Sequence, residues 1–533
     1  MQRTFLIVWC ATLSCGAWNG AAAAEWPQFG YDVAHSSYNA AEKGYPTATG
    51  NTLVAAYGLG VMFPNSSFDS APILLNAVSE ARGRPPRQML YLTTRDGRTI
   101  AVDVKDGAVL WSQKPTPGQF TSDIRAGVTG SPAADSARRY VYAFGLDGNV
   151  HKYDSYDGTE TLTNGTTAGK TSGWPQIVTI KPQADKLGAA VAINTVSGGA
   201  TYLYAVTNGN DGDEGDYQGH LTTVNLATSL QSVFNAACSN LAFHFVAYGE
   251  TSGQGQNDCA TVRDGIWGRP GAVYDPGTNR VFISTANGPF NANNGGWDWG
   301  DSVLALNPDG TGAGGGMPVD SYTPATYQYL EQGDLDLGSG SIAIVPPPPG
   351  TAPEYRHIAV QVGKDACVRL LNIADLSGQG GPAHVGGELS SQNLYPGNNS
   401  CGSASDVVIA QPAVWVNPAD FSSWVYVAGK WAAVVAYKIV LNGAGKPSLV
   451  PQWTWQNPGS TSPVVANGVV YVASFNLTAL DAVTGSKIWS DTSTPAGMHW
   501  ASPIVVNSHI YIVDYGGKLK SYLLDGIFRN GYQ

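Results

Sequence analysis

The sequence predicts an all-β fold, an eight-bladed β-propeller of four-stranded antiparallel blades. Three observations carry that prediction: a repeat that returns along the chain, strand-length apolar runs between turns, and a composition rich in turn formers. The 533 residues include 65 Gly and 32 Pro, with aromatic residues at 10 %, against average usages of about 7 % Gly and about 5 % Pro. So much turn chemistry excludes a helical bundle or coiled coil. Hydrophobic residues reach 43 % and charged residues only 13 %, which suits a large core and is opposite to the composition of disorder. The net charge is −11, and no Lys/Arg block offers a stripe for phosphates, so nucleic acid and anionic membrane surfaces are excluded as partners.

The repeat has the form Ser-Pro, apolar strand, Tyr-Val strand, Asp-Gly turn, Ala-x-Asp strand, Gly, Trp. One near-complete copy starts at Ser70-Ala71-Pro72 and runs through Tyr91, Asp96-Gly97, Ala101-Val102-Asp103 and Gly107 to Trp111. A second starts at Ser462-Pro463 and runs through Tyr471, Ala479-Leu480-Asp481 and Gly485 to Trp489. Degenerate copies are expected to start at Ser131-Pro132, Trp174-Pro175, Arg269-Pro270, Ser339-Gly340-Ser341, Gln411-Pro412 and Ser502-Pro503, eight copies in all. Within each copy, apolar residues alternate or run for a few positions between Gly, Asp and Asn turns, the pattern of antiparallel strands. Four short strands per unit around a ring is how a propeller protects its sheet edges. The repeat's Trp is expected on an outer strand, packing on the neighbouring blade with its N–H on a backbone partner.

Before the repeats, the charged start, the apolar run from Phe5 to Leu13 and Ala22-Ala23-Ala24 read as a secretory signal over residues 1–24, cleaved after Ala24. That run is about half of the ~20 apolar residues a membrane span needs, and no second long apolar span follows. Residues 25–533 then form a single propeller domain, secreted or periplasmic. Four cysteines remain in it, Cys238, Cys259, Cys367 and Cys401. An even count in an exported chain favours two disulfides, most simply 238–259 and 367–401 among the three possible connectivities. No Cys-x-x-Cys-His motif offers a covalent haem site. Segments 209–219, 238–263, 291–300 and 346–349 exceed what a hairpin needs, and long loops on a rigid ring tend to carry binding groups. Trp297 and Trp299 in the third of these are candidates for an apolar substrate platform or for a tucked-in loop.

With these repeats, the sequence resembles the pyrroloquinoline quinone (PQQ) propeller family of quinoprotein methanol, alcohol and polyvinyl alcohol dehydrogenases and their PQQ-like repeat relatives. The opening Trp26-Pro27-Gln28-Phe29-Gly30 resembles the family's first strand. The resemblance implies PQQ with Ca2+, or a lanthanide, and assigns residues to them. Asp69 in Phe68-Asp69-Ser70-Ala71-Pro72 stands where a carboxylate lies by the quinone, and Arg125 in Ile124-Arg125-Ala126-Gly127 where a guanidinium holds a PQQ carboxylate, a task suited to a planar bidentate donor. Glu214, five residues before Gly219-His220-Leu221-Thr222, has the spacing of the metal-binding Glu. Trp267 in Ile266-Trp267-Gly268-Arg269-Pro270 resembles the Trp that stacks on PQQ. Asn287 in Ser284-Thr285-Ala286-Asn287-Gly288 resembles the metal-ligating Asn.

Asp336 in Gly333-Asp334-Leu335-Asp336-Leu337-Gly338 stands at the family's general base and third metal ligand, and Lys364 in Val362-Gly363-Lys364-Asp365 at the cation that contacts the quinone carbonyls. Asp334 and Asp336, two apart, would share one face of an extended strand, a more negative metal site of the kind that suits a lanthanide. Asp301 in Trp299-Gly300-Asp301-Ser302 resembles a structural blade position of polyvinyl alcohol dehydrogenases.

The chain departs from the family in three places: it has no Cys-Cys pair, the metal turn reads Thr285-Ala286-Asn287-Gly288, and Leu335 precedes Asp336. The implied activity is oxidation of an alcohol or sugar hydroxyl, small or polymeric, with electrons passed to a separate acceptor. The alternative is a non-catalytic propeller used as a binding or assembly scaffold. The first predicts that Asp69, Arg125, Glu214, Trp267, Asn287, Asp336 and Lys364 converge at one mouth of the central channel.

Overall fold

The computed structural model describes residues 24–42, 54–63, 66–79, 85–115, 127–163, 166–167, 170–171, 173–247, 249–250, 258–394, 401, 408–430, 433–456, 461–474, 476–491 and 500–523. The expected signal segment and Arg125 lie outside them. Among the described residues eight blades of four antiparallel strands succeed one another around the ring, the seventh extended by a fifth, parallel strand, and two further sheets have two short strands each. The first blade is built from Ile73–Val78, Arg87–Thr93, Thr99–Asp103 and Val109–Gln113. The last combines Ile504–Val506, His509–Val513 and Lys518–Leu523 with the early strand Val54–Met62, which pairs antiparallel to Lys518–Leu523. Chain start and chain end thus share one sheet, which closes the ring. A second clasp is Tyr38–Asn39, which runs parallel to Val464–Ala466 of the seventh blade.

The repeat's residues have visible mechanical tasks. Trp111 of the first blade donates its indole N–H to the Ser155 carbonyl of the second at 3.0 Å. Its ring lies on Gly158, where an added Cβ would come within 2.6 Å of the indole. Trp453 of the sixth blade repeats this on the seventh, donating to the Ala482 carbonyl at 3.1 Å over Gly485. Gly158 and Gly485 have φ of +73° and +71°, a left-handed conformation that Gly adopts freely, so the Gly serves both the turn and the Trp. Near the channel the serine of Ser-Pro is a second peg: Ala71 N–H donates to Ser131 Oγ at 2.8 Å, and Gln411 N–H to Ser462 Oγ at 2.9 Å.

One repeat boundary differs from expectation. Trp174-Pro175 does not open a blade; it leads into Gln176–Ile177, which pairs with Asn149–Asp154 as the outer strand of the second blade. The third blade begins at Ala192–Thr195, after Gly188-Ala189-Ala190. The proline there marks an outer strand, where a missing N–H is tolerated. The other seven starts precede inner strands. Both disulfides join the expected partners, Cys238–Cys259 and Cys367–Cys401. Among the described residues no helix is long and apolar enough to cross a membrane.

Candidate functional site

Connections between blades and the turns after second strands meet around a cavity of about 650 Å3, lined among others by Lys186, Asp213, Glu214, Trp267, Asp334, Asp336, Lys364 and Trp500. These residues come from the third, fourth, fifth and eighth sectors of the ring, so the ring gathers them from over 300 positions of chain.

Asp336 is the most heavily engaged group. It stands at the N-cap of the short 3-10 helix Leu337–Ser339 that leads into the fifth blade, and it is buried. Its Oδ2 accepts the Trp267 indole N–H at 2.9 Å and lies 3.1 Å from Lys364 Nζ. Its Oδ1 meets only the Asn287 N–H, at 3.4 Å. Burial raises this carboxyl, Lys364 pulls it back, and Asp334 and Asp213 push it up again, leaving it at about 6. Lys364 also reaches Asp334 at 2.8 Å and lies 5.5 Å from the centre of the Trp267 ring. Burial opposes its charge, but Asp336 and Asp334 outweigh this and hold it protonated well above the ordinary lysine range.

Asp334 and Asp336 meet on Lys364 without the extended strand expected for them. Helix Tyr327–Gly333 ends at Asp334, whose φ of 52° and ψ of 46° make a left-handed cap. The chain then turns so that Asp336 is buried while the Asp334 side chain stays 60 % exposed.

Asn287 is buried, and its Nδ2 donates to Asp213 Oδ2 at 3.0 Å while its Oδ1 has no hydrogen-bond partner. Asp213 Oδ1 in turn accepts the Tyr217 hydroxyl at 3.0 Å. The carboxylate that touches Asn287 is therefore Asp213 and not the expected Glu214, which lines the cavity but is exposed. A tight turn causes this: Asp211 and Glu214 form a bridge with Gly212 and Gly215 at positive φ, and successive side chains diverge around it. Behind this layer stand two more buried carboxyls. Asp264 packs against Gly288, and Asp301 accepts the Leu337 N–H at 2.9 Å. Burial raises both well above the ordinary carboxylate range, helped by Asp298 for Asp264 and by Asp336 for Asp301.

Trp267 meets Trp500 edge to face, with centroids 6.0 Å apart. Asp69 lies behind Trp500, not on the cavity wall: it is buried, accepting the Trp500 N–H at 2.8 Å and the Tyr515 hydroxyl at 2.7 Å. Trp299 is fully buried and donates to Ser239 Oγ at 2.9 Å, so it is core and no platform; Trp297 is 36 % exposed. Lys186 and Asp213 were not singled out in the sequence. The signal for Asp213 lay in the same acidic turn as Glu214, and Lys186 has no motif around it.

The donor chemistry fits a hard cation. Asp213, Asp336 and the unpartnered Asn287 oxygen are hard oxygen donors, and an amide oxygen buried without a partner is costly unless something meets it. Among the described residues no three His, Cys, Asp or Glu side chains are gathered to hold a metal unaided. A cation here would need further ligands besides these side chains.

Residues 44–228 match the PQQ-repeat family described as outer membrane protein assembly factor BamB. No curated protein sequence matches the chain. In three dimensions it is similar to a quinohemoprotein alcohol dehydrogenase of Pseudomonas putida, at 14 % identity and a TM-score of 0.61 over 96 % of this chain and 81 % of that one. The quinohemoprotein alcohol dehydrogenase of Comamonas testosteroni gives 14 % identity and a TM-score of 0.61, covering 96 % and 82 %. A europium-containing methanol dehydrogenase gives 13 % identity and a TM-score of 0.60, covering 92 % and 89 %. With a match to PQQ-type repeats over residues 44–228 and that ring in its fold, the chain is an eight-bladed β-propeller similar in architecture to those dehydrogenases.

Proposed function

We propose that the chain is an exported PQQ-dependent dehydrogenase that oxidises an alcohol or sugar hydroxyl and passes electrons to a separate acceptor. The observation that carries this reading is Asp336, a buried carboxylate fixed by Trp267 and Lys364 on the wall of a cavity sized for a cofactor. When bound, PQQ supplies the two-electron acceptor, and a Ca2+ or lanthanide ion held by Asp336, Asn287 and Asp213, with Glu214 at the rim, supplies polarising charge. Asp336 Oδ2 is saturated by two donors, so Oδ1 is the atom that takes the hydroxyl proton. A carboxyl poised at about 6 is a better base near neutrality than an ordinary aspartate. Lys364 keeps its positive charge beside it and orients it, Trp267 offers a flat face, and Asp69 fixes Trp500 behind. Arg125 is proposed to hold a PQQ carboxylate.

A second reading is favoured by the family match over residues 44–228, whose description is an assembly factor. In it, the cavity is inherited and the propeller is a scaffold. One experiment separates the two. The purified chain is loaded with PQQ and Ca2+ or La3+, the quinone absorbance is recorded, and dye reduction is measured with a panel of alcohols and sugars. Saturable binding with turnover supports the dehydrogenase; absence of saturable binding leaves the scaffold.

A further inference from the structure

One carboxylate of the cation site is carried by a glycine-rich turn at the cavity rim. Asp213 stands in the turn bridged by Asp211 and Glu214, where Glu214 and Gly215 are exposed. Two side chains grip it: the Tyr217 hydroxyl donates to its Oδ1 and Asn287 Nδ2 to its Oδ2, each at 3.0 Å. Tyr217 is the fixed end of this series. It is buried and lines the cavity. Its ring is met at one edge by Gly209 and at the other by Gly265, where an added Cβ would come within 2.7 Å and 3.3 Å of ring atoms, and its carbonyl accepts the Arg263 N–H at 2.8 Å. A ring so confined has little freedom left to lose, so its hydroxyl restrains Asp213 at small entropic cost. At the far end, Asn287 Nδ2 is tied to Asp213 while its buried Oδ1 has no partner. An amide whose nitrogen is tied presents its oxygen on the other side.

We infer that Tyr217 is a positioning residue for the cation: its hydroxyl holds Asp213 in place, and Asp213 in turn keeps the Asn287 amide with its oxygen free for the cation. The inference rests on the dehydrogenase reading, which brings the cation, and adds to it a residue that acts through another. Groups hydrogen-bonded to the ligands of a metal set their direction and their strength as donors. Without the hydroxyl, Asp213 is left to Asn287 alone on a turn at the rim, and two oxygen donors lose their direction together.

The test uses the full purified chain, loaded with PQQ and titrated with Ca2+ by calorimetry. Tyr217→Phe keeps the ring between its glycines and removes only the hydroxyl; it should weaken Ca2+ binding by about 10–100-fold, the range for loss of an outer-shell partner. Tyr91→Phe removes a buried hydroxyl from the Ser155 carbonyl at the seam of the first two blades; it is the control for losing any such group and should bind Ca2+ as the parent does. The readout specific to positioning is a double variant. Asp213→Ala leaves nothing to position, so Asp213→Ala with Tyr217→Phe should bind Ca2+ as Asp213→Ala alone does. Losses that multiply instead would show that Tyr217 acts independently of Asp213 and overturn the inference, as would equal Ca2+ affinity of Tyr217→Phe and the parent. Should Tyr217→Phe fail to fold, Asp213→Ala decides: a loss of about tenfold or more supports the inference, and affinity equal to the parent's leaves Tyr217 nothing to position and overturns it. None of these outcomes touches the dehydrogenase reading. A parent that takes up no PQQ, or takes it up and binds neither Ca2+ nor La3+, overturns that reading instead.

Discussion

Two tryptophans of this ring show how it separates stability from chemistry. Trp111 spans two blades, places its N–H on a backbone carbonyl at 3.0 Å and lies on a glycine, and Trp453 repeats the arrangement elsewhere. Trp267 also donates its N–H, at 2.9 Å, but to the Asp336 carboxylate and on the wall of a cavity. The first partner is a peptide group that any sequence supplies, so the device can be copied around the ring. The second is an ionisable side chain some 69 residues away, and this arrangement occurs once among the described residues. The seams can therefore be read from a repeat, whereas the site consists of what interrupts the repeat.

The largest expected effect comes from breaking the site and sparing the seams. Asp336→Asn keeps the shape and loses the base, so dye-linked turnover should fall by about 100-fold to 10,000-fold, while PQQ still quenches tryptophan fluorescence. Unchanged turnover would place the base elsewhere. The converse is Trp111→Ala, which should cost about 3–5 kcal/mol of stability in denaturant unfolding and leave PQQ affinity intact in the folded fraction. A loss of affinity as large as the loss of stability would show that seam and site are one cooperative unit.

Asn287→Ala sharpens the distinction inside the site. It removes the unpartnered oxygen and the donor to Asp213, and Ca2+ or La3+ should bind at least as much more weakly as on loss of an outer-shell partner, about 10–100-fold, by calorimetry on the PQQ-loaded protein. Affinity within twofold of the parent, about 0.4 kcal/mol, would exclude Asn287 from the metal set.

The smallest effect concerns the ring alone. His151, on the second blade, lies between Glu160 at 2.6 Å and Asp147 at 3.1 Å. Burial alone would lower its pKa, but Asp147 and Glu160 outweigh this and push it up to about 9, from an ordinary 6.5. Its folded value being the higher, it adds stability that is complete below about pH 6.5 and is lost as pH rises through 9. Unfolding midpoints should fall between pH 6.5 and 9.5, and His151→Asn should flatten that slope. An unaltered slope would show that another group governs the alkaline loss.

How far the sequence could be read follows the same division. Trp111 with Gly107, and Trp489 with Gly485, announced a ring of blades because seam residues recur at fixed spacing. The third blade escaped because its start, Ala189-Ala190, has neither the Ser nor the Pro found at the other starts. At the site, Trp267, Asn287, Asp336 and Lys364 were legible from motif likeness, and they do come together. Asp213 was hidden behind Glu214 since a turn of Asp and Gly residues does not reveal which carboxylate it turns inward. Lys186 was invisible, because a buried lysine in a strand of two residues has no local pattern.

By itself, then, the sequence determined the strands, their number per blade and the recurring Trp and Gly of the repeat. These depend on alternation and spacing within about 40 residues, a range over which a repeat can be recognised. Only the tertiary structure decided that Asp213 meets Asn287, that Asp334 and Asp336 share Lys364 from a helix cap, and that Lys186 enters the same cavity. Those meetings join residues scores of positions apart, and their geometry is set by the angle at which each blade follows the last. That angle is a property of the closed ring and appears in no single segment of it.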